Sequence, residues 1–284
     1  MYVARTQSDL AGHRDRTGPL VLVPTMGALH AGHASLIEQA AELARVRGWA
    51  GGAVATIFVN PTQFNNPADL ARYPRSLEAD LEHCRVAGAA AVFVPEPQTV
   101  YPPGEAILVP ALPEVATRPR LEDLYRPGHF AGVAQVVRRL FDLTAPIAAI
   151  FGEKDWQQLR VIAAMTARDQ PHIEIIPGPT IREPDGLAMS SRNVFLAPAD
   201  RPRALAISAA LRAAASKRDP AQAERALREV LAAAGIEPEY AVVRDRDSLE
   251  PFALSRPAGP GFGRGLIAAV LGGVRLIDNA AWPD

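Results

Sequence analysis

The chain has a single cysteine, Cys84, among 284 residues. That excludes an internal disulfide and makes a reducing, cytoplasmic setting the expectation. Only six histidines accompany it, so soft metal ligands are few and no protein metal site is expected. The net charge is −1, too small to give the broad basic field that nucleic acid would need. No apolar run reaches the roughly 20 residues that cross a bilayer, and Met1-Tyr2-Val3-Ala4-Arg5 has no apolar signal core. Lysine is nearly absent: of 30 basic residues only Lys154 and Lys217 are lysine. A lysine in such an arginine-biased chain is poor filler, at least where it follows an apolar run as Lys154 does. The remaining composition, 48% hydrophobic and 21% charged, is that of a globular protein able to bury one large core or two modest ones.

The most informative stretch is Val23-Pro24-Thr25-Met26-Gly27-Ala28-Leu29-His30-Ala31-Gly32-His33. Leu20–Val23 reads as a buried strand, and the segment to Arg47 reads as a helix with Leu36, Ile37, Ala40 and Leu43 on one face. Gly27 permits a sharp turn, and Gly32 is expected to let a ligand approach the backbone. Helix N-termini have unpaired N–H groups and partial positive charge, which suits a phosphate. His30 and His33 share a face there. A lone histidine at a helix start ordinarily reads as a cap or core residue; two around a glycine after a strand point to nucleotide chemistry. A zinc helix would place its histidines at i and i+4 around a glutamate, a spacing absent here.

Apolar runs at Leu20–Val23, Ala53–Val59, Ala91–Val94, Ile147–Phe151 and Ile173–Ile176 alternate with helical patterns at Ala34–Arg47, Leu77–Ala87, Ala131–Leu143 and Trp156–Arg168. This alternation predicts an α/β fold, a Rossmann-like mainly parallel sheet with helices on both faces. The proline-rich Pro95–Pro113 reads as a surface excursion. The pattern changes near Pro177, where a smaller α+β C-terminal domain is expected: helices over Ala199–Ser216 and Ala221–Ala234, then strands Tyr240–Arg244, Leu266–Leu271 and Val274–Ile277 with a Gly272-Gly273 hairpin. The predicted domains are residues 1–176 and 177–284.

Ligands in such sheets bind beyond the carboxyl ends of the strands, and three unusual motifs follow strands: His30/His33, Asn60–Phe64 and Gly152–Asp155. Gly152-Glu153-Lys154-Asp155 pairs a glycine for close approach with a mobile charge and a carboxylate suited to a cap or a ribose hydroxyl. Asn60-Pro61-Thr62-Gln63-Phe64 offers neutral amides, which suit a small molecule bearing hydroxyls and a carboxylate; Gln158 adds another amide. Met189-Ser190-Ser191-Arg192-Asn193 combines two hydroxyls with a guanidinium that can fork onto phosphate.

Together these blocks resemble the pantothenate synthetase (pantoate–β-alanine ligase) family within the nucleotidyltransferases. Pro24–His33, Ile57–Phe64, Phe151–Asp155 and Arg182–Asn193 match in order. Tyr73-Pro74-Arg75, His129-Phe130 and Val274–Asn279 add to the likeness, which covers nearly the whole chain. Two departures are minor: Ala34 is smaller than the family's usual residue, and the chain before Leu20 is short, leaving little room for a leading helix.

The resemblance implies an ATP- and Mg2+-dependent condensation of pantoate with β-alanine through a pantoyl adenylate, releasing pyrophosphate and then AMP. ATP would be held by Met26, Gly27, Ala28, Leu29, His30, Ala31, Gly32 and His33. Gly152, Glu153, Lys154, Asp155, Ile181, Met189, Ser190, Ser191 and Arg192 would complete that site. His33 would be the proton donor, with His30, Lys154 and Arg192 also catalytic. Gln63 and Gln158 would hold pantoate, Gln63 also β-alanine. The smaller domain would close as a lid over ATP, and the enzyme would be a cytoplasmic homodimer. On the residues alone two other readings stay open: a nucleotidyltransferase acting on a phosphorylated acceptor, and a silent nucleotide sensor.

Overall fold

The computed structural model describes residues 1–64, 67–252 and 261–283. Its elements run β1 (Tyr2–Ala4), α1 (Gln7–Thr17), β2 (Leu20–Thr25), α2 (Ala31–Arg47), β3 (Gly52–Ile57), α3 (Pro67–Arg72), α4 (Leu77–Val86), β4 (Ala91–Phe93), α5 (Pro97–Val100), α6 (Glu122–Tyr125), α7 (His129–Thr144), β5 (Ala148–Gly152), α8 (Trp156–Asp169) and β6 (Glu174–Gly178). These six strands form one parallel sheet in the order β1-β4-β3-β2-β5-β6. The chain steps outward from β2 to β3 and β4 on one side, and β5 and β6 lie on the other. Connections therefore diverge between β2 and β5, opening a crevice at their carboxyl ends.

Both faces of the sheet are covered, which is why its central strands are apolar without alternation. Leu20, Leu22, Val54 and Ala149 pack toward α7 and α8, with Phe141, Val137, Ile162 and Met165. Val21, Val23, Ala55 and Ile150 pack the other way, onto Ile37, Ala40 and Cys84 of α2 and α4.

One expectation fails at the start. The chain before Leu20 holds both an edge strand, β1, and an 11-residue helix, α1. Apolar periodicity cannot detect α1, since Leu10 and His13 are its only buried residues. Its signal is a capping box: Thr6 accepts from the Asp9 N–H while the Asp9 carboxylate accepts from the Thr6 N–H.

Beyond β6, α9 (Arg201–Ala215) and α10 (Pro220–Ala233) cover a three-stranded antiparallel sheet of β7 (Pro238–Asp245), β8 (Gly263–Leu271) and β9 (Val274–Trp282). The β8–β9 turn uses Gly272 and Gly273, both at positive φ as a tight hairpin requires. Ile207, Leu211, Leu227, Leu231, Ile267 and Trp282 form a core of their own. The other face of this sheet contributes Val242 and Leu266 to the core of the large sheet. Polar contacts cross the same junction: Arg275 of β9 grips the buried Glu122 carboxylate of α6 through both terminal nitrogens, at 2.9 and 2.6 Å.

Candidate active site

The β2–β5 crevice is walled on one side by the segment joining β2 to α2. Gly27 has φ 78° and Ala28 φ 52°, a left-handed turn that reverses the chain within two residues. An acid from α4 holds it. Asp80, 3% exposed, accepts from the Ala28 N–H at 3.0 Å and the Leu29 N–H at 2.7 Å. A Cβ on Gly27 would come within 2.8 Å of that carboxylate. The Ala28 and Leu29 amides of this loop are therefore already occupied.

The helix start differs from expectation in a related way. His30 is the N-cap of α2: its Nδ1 accepts from the Gly32 N–H at 3.1 Å, and Nδ1 of His33 accepts from the His30 N–H at 3.4 Å. This is a capping box built from two imidazoles, with ring centroids 4.1 Å apart. Gly32 serves this packing, since a Cβ there would meet Cε1 of His30 at 2.9 Å. With Nδ1 accepting, the proton of each neutral ring sits on Nε2. Burial is the main force keeping the rings neutral, lowering His30 to about 4 and His33 to about 3, with Lys154 contributing at His30 and the His30–His33 pair at His33. The first turn of α2 thus presents two imidazole N–H donors.

The other walls come from three places. Gly152 ends β5 and Lys154 and Asp155 follow it, Gln158 lies in the first turn of α8, and Ile181 with Met189, Ser190, Ser191 and Arg192 comes from the loop after β6. With Met26, His30, Gly32, His33 and Gln63 they surround one cavity of about 220 Å³. Gly27, Ala28 and Leu29 do not line it, Ala31 is exposed, and the Glu153 carboxylate turns to Arg264 at 2.9 Å. Lys154 Nζ stands 3.8 Å from Asp155. The Ile181 carbonyl accepts from the Met189 N–H at 3.0 Å, closing the loop that presents Ser190 to Arg192.

The amide side is equally built. Asn60, 1% exposed, donates to Gln63 Oε1 at 3.1 Å and to the Gly132 carbonyl at 3.2 Å, while its own oxygen accepts from Tyr101 Oη at 2.8 Å. Gln63 is thereby oriented through its engaged side-chain oxygen. Phe58, Val133, Val136 and Leu140 make the adjoining wall apolar.

Two contributors were not identified from the residues. Asp80 has a signal in hindsight: it lies on the face of Leu77, Leu81 and Cys84, and an acid on an apolar stripe asks for a buried partner. Arg126 has none. It lines this cavity and a neighbouring one of about 240 Å³. Its only ion pair among the described residues is a 3.5 Å approach to Glu122, a carboxylate Arg275 already grips.

A parallel sheet with imidazole donors, a lysine and an arginine converging on its switch point defines a nucleotide-dependent group-transfer enzyme of the Rossmann-like class. Comparison narrows the class. The family described as pantoate-beta-alanine ligase matches residues 2–281. Pantothenate synthetase of Thioalkalivibrio sulfidiphilus is 46% identical over 294 aligned positions, covering 98% of this chain and 97% of that protein. The crystal structure of pantothenate synthetase from Thermus thermophilus superposes with a TM-score of 0.88 at 38% identity, covering all of both chains. That of the pantoate–β-alanine ligase from Francisella tularensis, complexed with β-γ ATP and β-alanine, gives 0.78 at 32% identity over 99% and 97% of the two chains. The chain belongs to the pantoate–β-alanine ligase family. It is an AMP-forming ligase that condenses pantoate with β-alanine through an amide bond.

Proposed function

We propose that the residues around the crevice divide this reaction as follows. A pantoate carboxylate oxygen attacks the α-phosphorus of ATP, and the bond to pyrophosphate breaks. The β-alanine amine then attacks the acyl carbon of pantoyl adenylate, and AMP leaves with the carboxylate oxygen. Negative charge grows on the departing pyrophosphate in the first step. Fixed donors aimed at that charge lower the barrier because they need no reorganisation. Nε2 of His30 and of His33 are such donors, and Lys154 and Arg192 supply full charges from the facing walls. The Ser190 and Ser191 hydroxyls complete the phosphate wall. Gln63 and Gln158 orient pantoate, with its geminal methyls against Phe58, Val133 and Leu140, and Gln63 also meets β-alanine.

The observation that carries this reading is the paired imidazole cap, which fixes both tautomers before any ligand arrives. Mg2+ would accompany ATP. No group of three or more His, Cys, Asp or Glu side chains suited to a metal occurs among the described residues. Asp155, a carboxylate in the cavity wall, would be the residue to hold such an ion. When bound, the ion neutralises phosphate charge.

The proposal includes a division near residue 177, the C-terminal unit closing over ATP. The separate core of α9, α10 and their sheet supports it. It also includes a cytoplasmic homodimer, supported by the family resemblance alone and testable by sedimentation. No helix among the described residues is long and apolar enough to cross a membrane. The overall reading is tested by mass spectrometry of protein, pantoate, β-alanine and MgATP. AMP and pantothenate in equal amounts support it, and ADP in place of AMP refutes it.

A further inference from the structure

Lys154 is carried by a three-residue turn, Glu153–Asp155, with no side-chain cap of its own. A lysine on so short a turn has its backbone placed by whatever grips that turn. The grip comes from the second sheet. Asn279 of β9, 3% exposed, uses both Nδ2 hydrogens on the turn, donating to the Glu153 carbonyl at 2.9 Å and the Lys154 carbonyl at 2.8 Å. Its Oδ1 accepts from Arg264 Nε at 2.6 Å. Arg264 in turn binds the Glu153 carboxylate at 2.9 Å and lies 3.7 Å over the Trp156 ring. Every polar atom of the Asn279 side chain is therefore committed to holding this turn.

The preceding residue of the same strand grips the opposite wall. Asp278 takes Arg182 in a fork at 2.6 and 3.1 Å and accepts from the Asn279 N–H at 2.8 Å. Arg182 bridges to Ala188 at the base of the loop that presents Ser190 to Arg192. Two successive residues of β9 thus reach both cationic walls of the crevice.

We propose that Asn279 is a positioning residue for the adenylation step, acting through Lys154. The second sheet then does more than cover the nucleotide: its strand β9 sets where the lysine of the large sheet stands. This inference rests on the reading that Lys154 acts on the phosphates.

The test is a double-mutant cycle on pantoate-dependent pyrophosphate release. Wild type is compared with Asn279→Ala, Lys154→Ala and the double variant, with thermal melts of each. Asn279→Ala is expected to lower kcat about 10- to 100-fold, in line with misplacement of a group at the reacting centre, with KM for pantoate within about twofold because Gln63 and Gln158 are untouched. In the Lys154→Ala background the same change is expected to cost less than about twofold. A merely structural asparagine would move melts but not this non-additivity. Losses that multiply, or a wild-type rate in Asn279→Ala, overturn the proposal. If Asn279→Ala fails to fold, Asn279→Asp carries the same comparison, since it keeps the size and the acceptor for Arg264 but removes both donors. A fast Lys154→Ala would overturn the site reading itself. A slow Lys154→Ala with a fast Asn279 variant overturns the positioning role alone.

Discussion

Replacing Asp80 with asparagine should damage both stability and catalysis although Asp80 lies outside the cavity wall. The carboxylate accepts two backbone N–H bonds, from Ala28 and Leu29, in a site where it is 3% exposed. An amide of the same shape keeps one acceptor and turns an NH2 group toward the other donor. The loss of a hydrogen bond to a charged acceptor, with a buried N–H left unpaired, costs about 2–4 kcal/mol. Melting entropy of about 2.1 cal/mol/K per residue gives roughly 0.6 kcal/mol/K for 284 residues, so Tm should fall by about 3–7 °C. The catalytic effect follows from sequence adjacency: Leu29 precedes His30, and relaxation of the turn moves the imidazole cap. A shift on the order of 1 Å at a reacting group costs on the order of 100-fold. The assays are pyrophosphate release from ATP and pantoate, and a thermal melt. An Asp80→Asn variant with wild-type rate and a melt within about 1 °C would show that the turn stands without this acid, refuting the reasoning.

Gln63→Ala should weaken pantoate by about 1–3 kcal/mol, the cost of leaving a buried polar group without its partner, while ATP affinity measured by calorimetry stays close to wild type. Lost ATP binding with intact pantoate binding would reverse that division of the site. The ligand-free protein should also lose stability on acidification. Burial, the leading cause in each case, lowers His30 to about 4, His33 to about 3 and His129 to about 3, against 6.5 for the free side chain. Between those values and pH 6.5 the unfolded chain binds protons that the folded protein refuses. The stability is thus fully present above 6.5 and declines as pH falls toward the folded values. The slope is at most about 1.4 kcal/mol per pH unit for each of His33 and His129, and less for the part-exposed His30. Urea titrations at pH 7 and pH 5 read it directly, and equal midpoints would contradict the buried neutral state.

How much of this was legible depended on whether a residue's role was set locally. The central strands and α2, α7 and α8 follow from continuous apolar runs and 3.6-residue periodicity, because burial between two helical layers leaves that mark. The motifs at strand ends were visible because glycine, histidine and lysine stood where a plain turn would not need them. Helix α1 left no such mark, since it buries only Leu10 and His13. Asp80 and Asn279 act across 51 and 125 positions respectively, so no window of sequence contains both partners. The capping of α2 is hidden for a different reason: His30 and His33 side chains take the Gly32 and His30 amides, and histidine is an uncommon cap.

The central claim is that pantoate is activated as an adenylate before the amine attacks, and oxygen tracing tests it most directly. Pantoate labelled with 18O in its carboxylate is incubated with ATP, Mg2+, β-alanine and the protein, and the AMP is analysed by mass spectrometry. Attack of the carboxylate on the α-phosphorus followed by acyl transfer places one carboxylate oxygen in AMP, so the account predicts AMP carrying a single 18O. Unlabelled AMP, or label recovered in inorganic phosphate beside ADP, would contradict it.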